Sequence, residues 1–189
     1  MCNLPKTKTM SIFQNQDYIS LFNIKTQESS YWNGRAYMYS EKYSMFFVTP
    51  RSESTIYFEA RNNEATKVGI DGFTDQNILS SETKIRNAHY KTTFRIGSAG
   101  FLHKIMGKNK LFNVYCNDQK LKTVLASSST LKQIFEIANS SSDLSPDILA
   151  EYNENDNWYV LKINYLTKEK NDKLILSVID FIKEISAKI

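Results

Sequence analysis

The stretch PDILAEYNENDNWYVLKINYL, residues 146–166, carries the clearest fold signal in the chain. Two runs rich in aliphatic and aromatic residues flank the polar segment Asn153–Asn157, whose Asn and Asp side chains favour a turn. In the second run every other residue is large and mostly apolar, which gives a strand one hydrophobic face: Tyr159, Leu161, Ile163 and Tyr165. The stretch therefore predicts an antiparallel hairpin with one face in a core.

Amphipathic helices are predicted on both sides of this hairpin. The segment KNDKLILSVIDFIKEISAKI has apolar residues at helical spacing and predicts a C-terminal helix near 172–187. Upstream, a second helix is predicted near 130–139, with Thr130 and Gln133 as its capping box. Its apolar stripe has the spacing i, i+3, i+4 and i+7: Leu131, Ile134, Phe135 and Ala138.

The first two thirds of the chain are dominated by strand patterns. KYSMFFVT (42–49) and STIYFEAR (54–61) flank Pro50 and predict a second hairpin. HYKTTFRIG (89–97) and KLFNVYCND (110–118) alternate and predict two more strands. Strands and helices are partly segregated along the chain, so the predicted class is α+β with a mainly antiparallel sheet.

The predicted domain organisation is a single α+β domain over residues 31–189, preceded by an N-terminal arm or short helix over residues 1–30. A subdomain seam is predicted at 61–83, where the sequence is polar and contains Gly69 and Gly72.

The composition argues against several classes of protein. The chain has 189 residues, a net charge of +4, two cysteines and two histidines, so neither a disulfide framework nor a structural zinc site is expected. No apolar run reaches the length of about 20 residues that a membrane helix needs. We expect a cytoplasmic protein without a metal or a cofactor.

Positive charge is concentrated in one interval of the sequence. No acidic residue occurs between Glu82 and Asp118, and seven Lys and Arg residues lie between them. A local positive field of this kind predicts a surface that contacts nucleic acid or another polyanion. The candidate anion-binding residues of this basic face are Lys84, Arg86, Lys91, Arg95, His103, Lys104, Lys108 and Lys110.

The glycine-rich part of the interval, FRIGSAGFLHKIMGKNK (94–110), matches no phosphate-binding motif well. Gly100 and Gly107 do not have the P-loop spacing, and Lys108 is followed by Asn rather than Ser or Thr. The segment 97–100 spells the GXXG of the KH RNA-binding module, but a strand pattern precedes it where that module has a helix. Three interpretations stay open: a hairpin tip, an anion-contact loop, and a basic segment touching an anionic membrane surface.

Residues suited to catalysis are few. A Cys–His pair would need Cys116 with His89 or His103, and Cys116 shares the apolar face of its predicted strand. We therefore predict a non-enzymatic binding protein that contacts an anionic partner such as nucleic acid. The alternative is a protein-interaction module, for example an immunity, regulatory or accessory factor, without nucleic-acid binding.

One segment resembles a known family. The order F-x-V-Y-C-N-D (112–118), then a short strand, an amphipathic helix and a closing hairpin, resembles the C-terminal module of an uncharacterised bacterial family that carries F-x-V-Y-S-x-D. The resemblance covers about residues 111–166, and Cys116 stands where the family has Ser. It implies a fold and a bacterial source, and no activity.

Overall fold

A computed structural model describes residues 23–32, 37–63, 76–99, 110–140, 146–167 and 172–189. Eleven elements lie in these residues, in this order: β1 (Asn23–Trp32), β2 (Tyr37–Thr49), β3 (Ser52–Asn63), β4 (Gln76–Arg86), β5 (Phe94–Ser98), β6 (Phe112–Cys116), α1 (Gln119–Ser127), α2 (Ser129–Ser140), β7 (Asp147–Asn153), β8 (Trp158–Thr167) and α3 (Asp172–Lys188).

The strands form one sheet with the order β1-β2-β3-β4-β8-β7-β5-β6. Every neighbouring pair is antiparallel. The first four strands are a meander, the β7–β8 hairpin continues it, and β5 lies between β7 and β6. The predicted α+β class with a mainly antiparallel sheet is confirmed, as are the helices near 130–139 and 172–187.

The helices cover one face of this sheet, which we call the core face. Alternate residues of every strand from β2 to β8 are buried there, as a strand with one covered face requires. Ile56, Leu79 and Leu161 are examples from three strands. The helices contribute Leu121 and Leu125 from α1, with larger sets from α2 and α3. The opposite face, which we call the open face, presents partly or fully exposed side chains.

Residues 23–32 form β1, whereas the sequence assigned residues 1–30 to an arm or short helix. The segment NIKTQESSYW has no apolar alternation, so its strand conformation depends on pairing with β2, in the register Asn23↔Phe46 to Trp32↔Tyr37. Residues 1–22 lie outside the described residues. Residues 23–30 of the predicted arm therefore belong to a strand of the sheet.

Part of the predicted seam at 61–83 also belongs to the sheet, because β3 ends at Asn63 and β4 begins at Gln76. The core face of β4 includes Ser81 and Thr83. These polar residues interrupt the apolar alternation, so the sequence pattern does not indicate a strand here. The remainder of the seam, residues 64–75, lies outside the part of the chain that the structure describes.

Two other local predictions were wrong at their boundaries. The strand predicted at 89–97 begins at Phe94, and the backbone of Thr92 bonds to the Tyr159 hydroxyl instead of a neighbouring strand. Helix α2 is capped by Ser128, whose Oγ accepts a hydrogen bond from the Leu131 N–H at 3.1 Å, rather than by Thr130.

The family resemblance implied a short strand after residue 118, whereas residues 119–127 form helix α1. Asp118 caps this helix by accepting a hydrogen bond from the Leu121 N–H at 2.9 Å. The apolar residues Leu121 and Leu125 are four positions apart, which suits a helix with one buried side.

Candidate anion-binding groove

Two arginines of the predicted basic face form ion pairs on the open face of the sheet. Arg95 on β5 donates two hydrogen bonds to the carboxylate of Asp147 on β7, at 2.9 and 3.2 Å. These hydrogen bonds are the main cause of a raised pKa of the Arg95 guanidinium, and the negative charge of Asp147 is the second cause. Arg86 on β4 is paired with Glu53 on β3, at 2.5 Å. The charge of each guanidinium is therefore balanced by a carboxylate on a neighbouring strand.

Lys84 has an aromatic partner on the same face. Its Nζ lies 4.9 Å from the ring centroid of Trp158 on β8, within the range of a cation–π interaction. The indole Nε1 of Trp158 is buried and makes no hydrogen bond with the described residues. Lys84 is thus packed against the sheet instead of projecting from it.

The other predicted contact residues are placed in different surroundings. Lys91 is exposed in the connection between β4 and β5, and Lys110 is exposed immediately before β6. His103, Lys104 and Lys108 lie outside the described residues. Where the structure describes them, the predicted cations do not gather at one position: three have partners on the open face, and Lys110 belongs to a groove on the other side.

That groove lies between β6 and the first two helices and has a volume of about 210 Å³. Its floor is apolar, and three lysines from three different segments surround it. The lining residues are Lys110, Leu111, Phe112, Val114, Lys122, Ala126 and Lys132. We call it the lysine groove.

Local sequence explains why the helical residues point into the lysine groove. Leu121 and Leu125 fix one side of α1 in the core, so Lys122 and Ala126, each one residue later, lie about 100° around the helix on its flank. In α2, Leu131 is buried in the same way and Lys132 follows it. The caps at Asp118 and Ser128 set where each helix begins.

The electrostatics of the lysine groove differ from those of the open face. All three lysines are exposed, and none of their side-chain ammonium groups makes an ion pair or a hydrogen bond with a residue that the structure describes. No carboxylate, histidine or cysteine is among the lining residues. Three like charges around one small apolar floor repel each other, and an anionic ligand would relieve that repulsion.

The floor of the groove is apolar, and its one aromatic ring is almost completely buried. Phe112 is only 7% exposed, and its ring packs on Phe135 with the centroids 5.0 Å apart. Val114 is 8% exposed. Tyr115, the exposed aromatic of β6, points to the open face. The groove can therefore hold an anion together with an apolar group, but it presents no ring face for a base to stack on.

Lys122 and Lys132 were not predicted from the sequence as contact residues. The acid-free interval ended at Asp118, and α1 was not predicted, so neither lysine was linked to Lys110. A helix over 119–127 would have supplied the link, because Leu121 and Leu125 at i, i+4 place Lys122 on the flank beside them.

The described residues offer little for catalysis or metal binding. Cys116 is a free thiol that packs against the core. Within the described ranges, no group of three or more His, Cys, Asp or Glu side chains could hold a metal ion. The helices of this part of the chain are too short or too polar to cross a membrane.

Comparison with known proteins yields no relative: no protein-family model, no curated protein and no solved structure matches the chain. The resemblance of residues 111–166 to a bacterial family stays a prediction.

Proposed function

We propose that the protein is a non-enzymatic binding protein that contacts an anionic partner through the lysine groove. The observation that carries this proposal is the convergence of Lys110, Lys122 and Lys132, all unpaired among the described residues, around one apolar floor. The arginines of the open face have carboxylate partners, so this groove is a place where positive charge stays uncompensated.

The proposal moves the contact surface away from the predicted basic face of residues 84–110. Of that face, Lys110 belongs to the lysine groove, and Lys91 is exposed at a different position. An anionic partner that also carries an apolar group fits best, since the floor of the groove is apolar. Nucleic acid, the partner class suggested by the charge interval, would bind there through its phosphates alone.

The test is fluorescence-polarisation binding of labelled polyglutamate and of single- and double-stranded oligonucleotides at two salt concentrations. The groove variant is Lys110→Ala/Lys122→Ala/Lys132→Ala. The charge-matched control is Lys91→Ala/Lys120→Ala/Lys183→Ala, at three exposed positions that do not line the groove.

We expect at least one polyanion to bind in a salt-sensitive manner. The groove variant should weaken that binding at least about tenfold, because three charge-assisted contacts are lost. The control should change it less than about threefold. Absence of binding at low salt, or equal weakening by both variants, would show that the lysine groove is not the contact site.

A further inference from the structure

We propose that the lysine groove and the free edge of β6 together accept an extended acidic peptide of a partner protein, which adds to the sheet as a further strand. This inference rests on the proposed function in one respect, the use of the three lysines. It adds a partner class, an acidic segment of protein, and a binding mode, strand addition.

The first support is the position of β6 in the sheet. Among the described residues it pairs only with β5, so one side of the strand has no neighbour. The Ala99 N–H donates to the Leu111 carbonyl at 3.1 Å, which sets the alternation of the antiparallel ladder. By that alternation the backbone N–H and C=O groups of Phe112, Val114 and Cys116 point away from β5, towards the free side.

The second support is that three of the usual protections of an edge strand are absent from β6. Proline, inward-pointing charge and bulges commonly prevent pairing at an edge. The strand FNVYC contains no proline and no charged residue, and its five residues pair with β5 in continuous register from Phe112 to Cys116. Lys110 stands two residues before the strand, where it attracts an acidic segment, and Asp118, two residues after it, is engaged as the cap of α1.

The third support is the match between side-chain spacing and the groove. Phe112 and Val114 belong both to the free edge and to the floor of the groove. An added strand would point alternate side chains to the same side as these two residues. One apolar side chain would then enter the groove, and acidic side chains two positions before and after it would approach the lysines.

The volume of the groove also favours a peptide side chain. Pockets for small organic ligands usually have volumes of about 300–1,000 Å³. The 210 Å³ of the lysine groove is below that range and has room for a single side chain of moderate size. The predicted recognition pattern is therefore Glu-x-Leu-x-Glu or a close variant, in an extended segment.

The test uses labelled peptides with the full-length protein. The parent peptide TETLTET places both Glu residues and the Leu on one face of a strand. A control of identical composition, TETTLET, moves the Leu to the other face. Two further versions of the parent carry N-methyl groups, one at the odd-numbered residues and the other at the even-numbered residues. In an added strand the backbone N–H groups of only one of these sets would face β6, so only one version loses the hydrogen bonds to it.

We expect salt-sensitive binding of the parent that the Lys110→Ala/Lys122→Ala/Lys132→Ala variant weakens at least about tenfold. TETTLET and one of the two N-methylated peptides should each lose about tenfold or more, since each lacks a contact of that order. The parent should also slow amide hydrogen exchange at Phe112, Val114 and Cys116, whose N–H groups form the free edge.

The outcomes separate this inference from the proposed function. Lysine-dependent binding that both N-methylated peptides retain would overturn strand addition and leave anion binding in place. Lysine-dependent binding of oligonucleotides without binding of the parent peptide would overturn the acidic-peptide partner and leave the groove as the contact site. No binding of any polyanion at low salt would overturn both.

Discussion

Arg95 and Asp147 form a two-point ion pair across neighbouring strands, with N···O distances of 2.9 and 3.2 Å. The two residues are 52 positions apart in the sequence and meet because β5 lies beside β7. In the sequence Arg95 stands within an interval free of acidic residues; in the fold its charge is balanced. The same is true of Arg86 and Glu53.

This pairing leads to a prediction for Arg95→Ala. Arg95 is exposed and Asp147 is partly exposed, so the substitution should leave the free energy of unfolding nearly unchanged. The substitution should also leave binding at the lysine groove within about twofold of wild type. Urea denaturation and fluorescence polarisation measure the two quantities. A loss of binding comparable to that of the groove variant would assign the contact to the open face instead.

A second prediction concerns Glu184, which joins α3 to the start of α2. Its carboxylate accepts hydrogen bonds from Ser128 at 2.9 Å, from Thr130, and from Lys188 at 2.5 Å. Burial of Glu184 acts to raise the pKa of its carboxyl, but the hydrogen bonds from Lys188, Thr130 and Ser128 outweigh it and leave the pKa below the usual range.

A lowered folded-state pKa means that this stabilisation is complete above the unfolded pKa of Glu and is lost as the pH falls through the folded value. Glu184→Gln should therefore reduce stability by about 1–2 kcal/mol at pH 7 and make the acid limb of the stability curve shallower. Urea denaturation between pH 7 and pH 3 tests both effects. An unchanged acid limb would contradict the assigned role of the carboxylate.

A third prediction concerns Tyr159, a fully buried residue of β8. Its hydroxyl donates to the Thr92 carbonyl at 2.7 Å and accepts from the Thr92 N–H at 3.0 Å. Tyr159→Phe would leave both backbone groups without this partner, and we expect a loss of about 1–3 kcal/mol. Thermal or chemical denaturation at pH 8 measures it, with Tyr115→Phe at an exposed position as the control.

Tyr159 also gives the protein a specific alkaline response. Burial, opposed by the hydrogen bond with Thr92, raises the pKa of the phenol from 10.0 to about 12. Between these values the unfolded chain loses the proton while the folded protein keeps it, so this residue lowers stability as the pH rises. Stability of the Tyr159→Phe variant should fall less steeply between pH 10 and pH 12 than that of wild type. Parallel slopes would contradict the shifted pKa.

A fourth prediction concerns three hydroxyl groups on the core face of β3 and β4. Ser54, Ser81 and Thr83 are buried, and their side-chain oxygens make no hydrogen bond with the residues that the structure describes. Thr83→Val replaces the hydroxyl with a methyl group of similar size. We expect a change between neutral and about 2 kcal/mol of stabilisation, because an unsatisfied buried group is removed.

The contrasting substitution is Ser128→Ala. This hydroxyl caps α2 and donates to Glu184, so its removal should cost about 1–2 kcal/mol. Urea denaturation of both variants gives the comparison. A loss of more than about 1 kcal/mol in Thr83→Val would indicate that the threonine hydroxyl has a hydrogen-bonding partner in solution.

Strands and helices whose apolar residues recur at regular spacing were predictable from the sequence. The β7–β8 hairpin and helix α3 follow directly from the alternation of residues such as Leu161 and Ile163 and from the helical spacing of Val178 and Ile182. Elements with mixed faces were missed for a physical reason. Strand β4 carries buried hydroxyl residues, and β1 is polar at residues 25–30, so neither strand shows a regular apolar alternation in the sequence.

The candidate site was only partly predictable. Lys110 was identified from the absence of nearby acids, but Lys122 and Lys132 join it because α1 and α2 fold back over β6. The arginines were identified as contact residues for the same reason, and carboxylates distant in the sequence then proved to be their neighbours.

By itself the sequence determined which faces of its periodic strands and helices are apolar, since that property depends only on residues a few positions apart. Tertiary structure alone decided that β5 lies between β7 and β6, that β6 is left at the edge, and which charges are compensated. Strand order is set by which edges meet when the chain closes its long loops. Residues a few positions apart in the sequence do not determine strand order. For this reason the lysine groove can be identified only in the folded chain.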